Sequence, residues 1–216
     1  MGKMSKDILK FTDDFNKNTW IKIGTLAILC NVFVGIINFI LSLINFSSYN
    51  ALMGILLGFE TISFILIMLF SIGIVTFSNE LQNQTGLIAG ATLIIVHVIT
   101  YLNLYFYPYP IMSAIVLANG LIFLIMIATF IFFLLNLSKK YEEKIILYTV
   151  LVWLAVTVAN FVFALTWPIF SDLTIAIRDF FTFCCFSVII REYEGTMQKN
   201  IKKPVDYKHV KVKYEE

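Results

Sequence analysis

Apolar residues along this chain fall into six long runs, separated by short polar or aromatic segments. Each run is at least as long as the roughly 20 residues that a helix needs to cross the hydrocarbon core of a bilayer. Apolar runs of this length predict transmembrane helices. They lie at 21–45, 51–77, 86–107, 109–137, 145–166 and 168–190. We therefore predict an all-α, polytopic integral membrane bundle of six transmembrane helices.

The two ends of the chain have a different pattern. In 1–20, apolar residues recur at near-helical spacing with lysines between them, which predicts a short amphipathic helix on the membrane surface. The apolar run that follows is too long for the core of a cleaved signal peptide. The tail at 191–216 is charged and is expected to lie against anionic headgroups. The predicted organisation is a surface helix at 1–20, a six-helix domain at 21–190 and a basic tail at 191–216.

The composition agrees with a lipid environment. Of the 216 residues, 59% are hydrophobic and 14% are charged, and the mean hydropathy is +0.86. A soluble domain has about 25% charged residues, and too little polar surface remains here to cover a soluble fold. The expected surroundings are therefore the lipid bilayer, with the plasma membrane as the simplest location. No nucleic-acid partner is expected.

Lysine and arginine are distributed so that they predict an orientation. Five lie in the N-terminal segment up to Lys22, three at 138–144 and seven from Arg191 onward, which leaves only Arg178 of the sixteen. The turns on the other side of the predicted bundle have none. Because loop cations are retained on the cytoplasmic side, both termini are predicted to be cytoplasmic.

Each predicted helix carries at least one strongly polar residue near its middle or slightly toward the outer side. Such groups are unfavourable in hydrocarbon unless they are paired or hydrated, so they are expected to converge on the bundle interior. The layer consists of Asn38 and the six residues that we assign to a substrate- or ion-binding site, which are Glu60, Arg178, Asp179, His97, Asn119 and Asn160.

Glu60 and Arg178 are the least favourable of these groups in lipid, so Arg178 is predicted to contact Glu60, Asp179 or both. Consecutive residues lie about 100° apart on a helix, which favours Glu60 over Asp179 as the partner. Asp172 shares a helical face with Asp179 and would line an entry path for a cation. Two interpretations remain open: a neutralised ion pair that fixes helix assembly, or a functional site.

His97 is one of only two histidines, and the other, His209, lies in the tail. A histidine at this depth is either a proton relay or a neutral imidazole that is hydrogen-bonded to a neighbouring helix. Two such distant histidines exclude bis-histidine haem ligation within the membrane and an HExxH zinc helix. Neither a GxSxG motif nor a phosphate-binding loop is present. We predict no cofactor, no metal and no enzymatic activity.

Two GxxxG patterns, Gly54–Gly58 and Gly86–Gly90, predict tight helix packing within the bundle, with a dimer face as the alternative. The first function hypothesis is a transporter or channel subunit for a small polar solute or ion, either alone or as a homo-oligomer. The alternative is a non-catalytic subunit that anchors or scaffolds a larger membrane complex, including a permease subunit that works with a separate ATPase. No residue motif ties the chain to a known family.

Overall fold

A computed structural model of the chain describes residues 3–43, 49–106, 112–166 and 170–201, and all four stretches are dominated by α-helix. The side chains that it describes are those of 19–43, 54–55, 57–102, 121–160, 162, 170 and 172–196. The six helices are α1 (Lys3–Leu43), α2 (Tyr49–Glu80), α3 (Gln84–Phe106), α4 (Met112–Tyr141), α5 (Lys144–Thr166) and α6 (Phe170–Ile201). The prediction of an all-helical chain is confirmed.

Five of the helices contain described segments that are long and apolar enough to cross a membrane. In α5 the described apolar segment, Lys144–Asn160, is shorter. The five longer segments are Thr19–Leu43, Leu57–Glu80, Gln84–Leu102, Leu121–Tyr141 and Asp172–Thr196. Their length and composition support a membrane protein that is built as a helical bundle.

The first helix is longer than the sequence pattern suggests. α1 continues for 41 residues without a break, so one helix covers both the predicted surface helix and the first predicted span. At 1.5 Å per residue it is about 62 Å long, roughly twice the thickness of the hydrocarbon core. Neither proline nor glycine occurs between Lys3 and Ile23, so nothing interrupts the backbone hydrogen bonds near residue 20. The surface location of its first turns stays a prediction.

The last helix also extends past its predicted boundary. α6 ends at Ile201, beyond the predicted end of the sixth span at residue 190. Polar residues continue a helix readily once it has left the apolar layer, so hydropathy alone does not locate the helix end. The remainder of the predicted basic tail, from residue 202, lies outside the described residues.

Two tight turns connect helices at one end of the bundle. Gln82 has a φ of 52° and Glu142 a φ of 56°, the left-handed conformation that commonly ends a helix. In the first turn the Asn83 side chain accepts hydrogen bonds from Thr85 Oγ1 at 2.6 Å and from the Gly86 backbone N–H at 3.2 Å. Asn83 therefore caps α3. We call this end of the bundle, where α1 begins and α6 finishes, the terminal end, and the other end the distal end.

The six helices pack in chain order as a closed ring. Each helix contacts the next one, and α6 returns to contact α1. Across the ring, the backbones of α4 and α6 also approach each other within the described part of the chain. This arrangement gives every helix one face toward a common interior.

The close approach of α1 to α2 depends on glycine at two positions. A Cβ on Gly73 would lie 2.8 Å from the carbonyl oxygen of Trp20, and one on Gly24 would lie 2.9 Å from the Cα of Phe70. Backbone atoms cannot move aside cheaply, so α1 and α2 approach this closely only because both positions lack a side chain.

The two GxxxG patterns behave differently. A Cβ on Gly86 would lie 2.6 Å from the Phe133 ring, and one on Gly90 would lie 2.6 Å from Val75, so tight packing at this pattern is confirmed. Around Gly54–Gly58 no described atom lies within 4 Å of either added Cβ. For that pattern the preferred prediction of packing within the chain is not confirmed, because among the described residues this part of α2 faces away from the bundle.

Aromatic rings fill the terminal half of the ring. Phe70 meets Phe186 edge-on with a centroid separation of 5.1 Å, and Phe130 lies 4.6 Å from Trp153. These rings come from α2, α4, α5 and α6, so the cluster closes the interior across the ring. We call it the aromatic cluster, and its members are Phe70, Phe77, Phe130, Phe133, Trp153, Phe186 and Tyr193.

Candidate functional site

The distal half of the ring contains a cavity of about 240 Å³. All six helices contribute to its wall, with His97 from α3 and Phe123 from α4. These residues lie in the distal half of their helices or near the middle, and Trp153 separates them from the other rings of the aromatic cluster. The charged and amide side chains on the wall are Asn31, Asn38, Glu60, Asn160, Asp172 and Arg178.

The structure brings together four of the six predicted site residues. Glu60, His97, Asn160 and Arg178 all line the cavity. Asp179 is buried with 1% exposure and contacts Arg178. The sixth residue, Asn119, is part of α4, but its side chain lies outside the described residues.

Arg178 forms its ion pair with Asp179 rather than with Glu60. Its Nε and Nη2 both donate to Asp179 Oδ1, at 2.8 Å and 2.7 Å. The preference for Glu60 is therefore wrong among the described residues. That preference assumed that Arg178 and Asp179 point about 100° apart around the helix axis. The long arginine side chain, however, turns back along the helix and reaches its neighbour.

Two other helices hold this ion pair in place. On one side, Asn31 Nδ2 of α1 donates to Asp179 Oδ2 at 2.7 Å. On the other, the Arg178 guanidinium lies 4.7 Å from the centre of the Trp153 ring of α5, a cation–π distance. Trp153 also donates from Nε1 to Thr182 Oγ1 at 3.0 Å. The pair thus joins α1, α5 and α6 at the boundary between the cavity and the aromatic cluster.

Asn160 takes part in a second contact between α5 and α6. Its Oδ1 accepts a hydrogen bond from the Thr174 hydroxyl. Further toward the terminal end, Thr149 Oγ1 of α5 donates to the carbonyl oxygen of Phe181 at 3.2 Å. Polar contacts therefore connect α5 to α6 along much of their described length, and Asn160 contributes to this interface as well as to the cavity wall.

Two buried amide oxygens on the cavity wall lack a partner. Asn31 is 2% exposed and Asn38 is 5% exposed, and neither Oδ1 has a hydrogen-bond partner among the described groups. Asn38 belongs to the polar layer predicted from the sequence, whereas Asn31 was not predicted. Asn31 lies seven residues before Asn38, which is two turns along the same helical face, and this spacing indicates that both side chains face the interior.

Two carboxylates on the wall have no ion-pair partner among the described side chains. Neither Glu60 nor Asp172 forms an ion pair within the part of the chain that the structure describes, and the two are within electrostatic range of each other. Glu60 is exposed, and it also borders a smaller recess of about 70 Å³ between α2 and α3. There Phe64 and Tyr101 stack with their ring centroids 4.3 Å apart.

His97 is hydrogen-bonded within its own helix. Among the described groups it has no hydrogen bond to a neighbouring helix, which one of the two interpretations predicts. Its Nδ1 lies 2.8 Å from the carbonyl oxygen of Leu93. Since a carbonyl oxygen only accepts, Nδ1 carries the proton. In the neutral imidazole, Nε2 is then a further acceptor at the cavity wall.

A second polar group of residues lies at the terminal end, away from the cavity. Tyr193 of α6 donates to Glu80 Oε1 of α2 at 2.5 Å, and Phe77 packs edge-on against the Tyr193 ring. Nearby in the ring, Lys22 of α1 pairs with Glu194 of α6 at 2.5 Å. These contacts connect α6 to α1 and α2, and they have no part in lining the cavity.

The chain matches no family model, no curated protein and no solved structure. The chemistry of the site is therefore what indicates the function. A cavity of this size, with charged and amide groups inside an apolar bundle, is suited to hold a small polar molecule away from bulk water.

Proposed function

We propose that this chain is a six-span membrane protein with both termini in the cytoplasm, and that its central cavity binds a small polar solute or ion for transport across the bilayer. The observation that carries the proposal is a cavity with charged groups on its wall, lined by all six helices. Charged side chains within a membrane are costly and typically line substrate or ion paths.

The six crossings are supported by helix length and by charge. The α5 helix has 23 residues, which corresponds to about 35 Å and exceeds the roughly 30 Å of a hydrocarbon core. Helices that pack in chain order with short turns alternate in direction, and six of them return the chain to its starting side. All lysines and arginines outside the six predicted spans, together with Lys22, then face the cytoplasm, in agreement with the positive-inside rule.

The shape of the interior favours a carrier over an open channel. The aromatic cluster closes the terminal half of the ring, while the distal half holds the polar cavity. A channel needs a hydrated path along its whole length. A carrier that works by alternating access instead presents a site that is closed toward one side in each of its states.

Transport is tested with purified protein in liposomes. Two readouts are used, one for neutral solutes and one for ions, so the solute does not have to be known beforehand. Liposome swelling measures uptake of neutral solutes, and electrical currents on a supported membrane measure uptake of ions. We expect Glu60→Gln and Asp172→Asn to reduce the transport found for the unmodified protein by roughly tenfold or more, equivalent to about 1.4 kcal/mol. The matched control is Glu142→Gln, in the exposed turn after α4. Equal transport by all three variants refutes the site assignment.

The orientation is tested by cysteine labelling in intact cells. With Cys30, Cys184 and Cys185 replaced by serine, a single cysteine is introduced by Ser48→Cys or by His209→Cys. A membrane-impermeant maleimide is expected to label the first in intact cells and the second only after lysis. The reverse pattern contradicts cytoplasmic termini.

One observation favours the second candidate, a scaffold subunit of a larger complex. Gly54 and Gly58 form a small-residue face that no described part of the chain covers, and such faces pair with other transmembrane helices. Purification in mild detergent followed by native mass spectrometry separates the two candidates. Stoichiometric foreign subunits support the scaffold, whereas a monomer or homo-oligomer supports the transporter.

A further inference from the structure

Two buried amide oxygens on the cavity wall have no hydrogen-bond donor among the described groups. The orientation of the Asn31 amide is fixed, because its Nδ2 donates to a carboxylate oxygen of Asp179, which only accepts. The Asn31 Oδ1 is thus a true acceptor, and it is buried without a partner among the described atoms. Asn38 Oδ1 is likewise buried without a partner among the described atoms. A buried acceptor without a donor is unfavourable, and a ligand with N–H or O–H groups relieves that cost.

The charges on the cavity wall favour a positively charged ligand. Asp179 neutralises Arg178 through two hydrogen bonds to one oxygen. The described carboxylates around the cavity are those of Glu60, Asp172 and Asp179, against the single guanidinium of Arg178. When all are ionised, the formal charge is −2. A carboxylate in an apolar bundle requires a counter-charge or a proton.

The size of the cavity indicates an organic ligand rather than a bare metal ion. At about 30 Å³ per water molecule, 240 Å³ has the volume of roughly eight waters. The described side chains also bring together no group of three histidine, cysteine, aspartate or glutamate residues that would hold a metal ion. A molecule of about five to eight non-hydrogen atoms fills the space better.

We propose that the cavity binds a small protonated amine, which deepens the proposed function by naming its substrate class and rests on it. The ammonium N–H groups donate to Asn31 Oδ1 and Asn38 Oδ1, and Glu60 and Asp172 supply the negative charge. Arg178 stays paired with Asp179 and excludes a second cation from the floor of the site. A quaternary ammonium lacks the N–H groups and leaves both amide oxygens without a donor.

The ligand class is tested with four probes of similar size on the purified full chain in mild detergent, at constant ionic strength. The probes are n-butylammonium, tetramethylammonium, butyrate and 1,4-butanediol. At a concentration of about 100 times its Kd, n-butylammonium is expected to raise the Tm by roughly 5–10 °C. The other three are expected to raise it much less.

Variants connect the effect to the cavity. Glu60→Gln and Asn38→Leu are each expected to remove most of the Tm rise with n-butylammonium, and Glu142→Gln is expected to retain it. If a cavity variant does not fold, the probe series on the unmodified protein still decides the ligand class. A rise that persists in both folded cavity variants overturns the assignment of the amine to this cavity.

The outcomes separate this inference from the proposed function. If butyrate or 1,4-butanediol stabilises the protein, loses its effect in Glu60→Gln and is transported, the cavity is a solute site but not an amine site. Equal stabilisation by tetramethylammonium and n-butylammonium overturns the role of the N–H donors. If no probe binds and liposomes containing the protein transport none of them, the inference fails and the proposed function loses its main support.

Discussion

The two halves of the helical ring differ in what fills them. The terminal half is closed by aromatic rings that touch across the bundle, such as Phe70 and Phe186. The distal half is open inside, and among its described groups are carboxylates without a cation and two buried amide oxygens without donors. In lipid, burial of apolar surface between helices gives little net gain, so packing and polar contacts determine stability. The terminal half therefore holds the bundle together, and the distal half keeps polar groups that do not stabilise the empty protein.

Removal of Asp179 is expected to cause the largest loss of stability, because Asp179 stabilises the boundary between the two halves. The substitution Asp179→Leu leaves the Arg178 guanidinium, whose side chain is 13% exposed, without its counter-ion. Loss of one partner of a buried pair costs about 3–5 kcal/mol. The measurement is reversible unfolding in detergent, followed by circular dichroism.

A double substitution is the control for this prediction. Arg178→Met combined with Asp179→Leu removes both charges and is expected to recover most of the lost stability. If the double variant is as unstable as the single one, the pair does more than neutralise charge, and Asn31 or Trp153 depends on it for position.

The substitution Phe130→Ala perturbs the terminal half alone. Phe130 is fully buried and contacts the rings of Phe70, Trp153 and Phe186. We expect a loss of about 2–4 kcal/mol, somewhat below the range for soluble proteins because the transfer contribution is small in lipid. Butylammonium binding by the folded fraction, measured by equilibrium dialysis, is expected to remain. Loss of binding at unchanged stability contradicts the separation of the two halves.

The two GxxxG patterns supply a matched pair of Gly→Ala substitutions. Gly86→Ala places a methyl group against the Phe133 ring and is expected to cost about 1–3 kcal/mol through overpacking. At Gly58 no described atom is nearby, so Gly58→Ala is expected to stabilise the isolated chain by about 0.5–1 kcal/mol through helix propensity. The unfolding midpoints of the two variants in the same detergent test both the expected loss of stability and the expected gain. A destabilised Gly58→Ala variant indicates that a second chain covers this face.

A small expected effect on stability, in the cavity wall, has the opposite sign to the loss at Asp179. Asn38→Leu removes a buried acceptor that has no partner among the described groups, so the empty protein is expected to gain about 1 kcal/mol. The unfolding midpoint without ligand measures this gain. A loss of stability shows instead that Asn38 has a structural partner, which leaves only Asn31, among the described residues of the cavity wall, with a buried oxygen that lacks a donor.

The sequence was sufficient to predict the helices because each apolar run is long and the turns between runs are short. It also predicted that polar residues at similar depth meet, and Glu60, His97, Asn160 and Arg178 indeed share one cavity. Depth along a helix follows from counting residues at a constant rise, and it does not depend on how the side chains pack.

The features that the sequence did not predict depend on side-chain reach and on helix rotation. The contact from Arg178 to its own neighbour follows from a flexible side chain that Cα geometry does not describe. The outward direction of Gly54–Gly58 depends on the rotation of α2 in the ring, which an isolated motif does not determine. The unbroken α1 helix likewise combines a polar and an apolar half that hydropathy treats as separate elements.

Trp153 gives the protein an optical reporter of its own. The indole lies beneath the guanidinium of Arg178 at the floor of the cavity, and only two other tryptophans, Trp20 and Trp167, occur in the chain. With those two replaced by phenylalanine, the emission of Trp153 is sensitive to any movement of the charge above it. Occupancy of the site, and separation of α5 from α6, can then be followed in real time without an added dye.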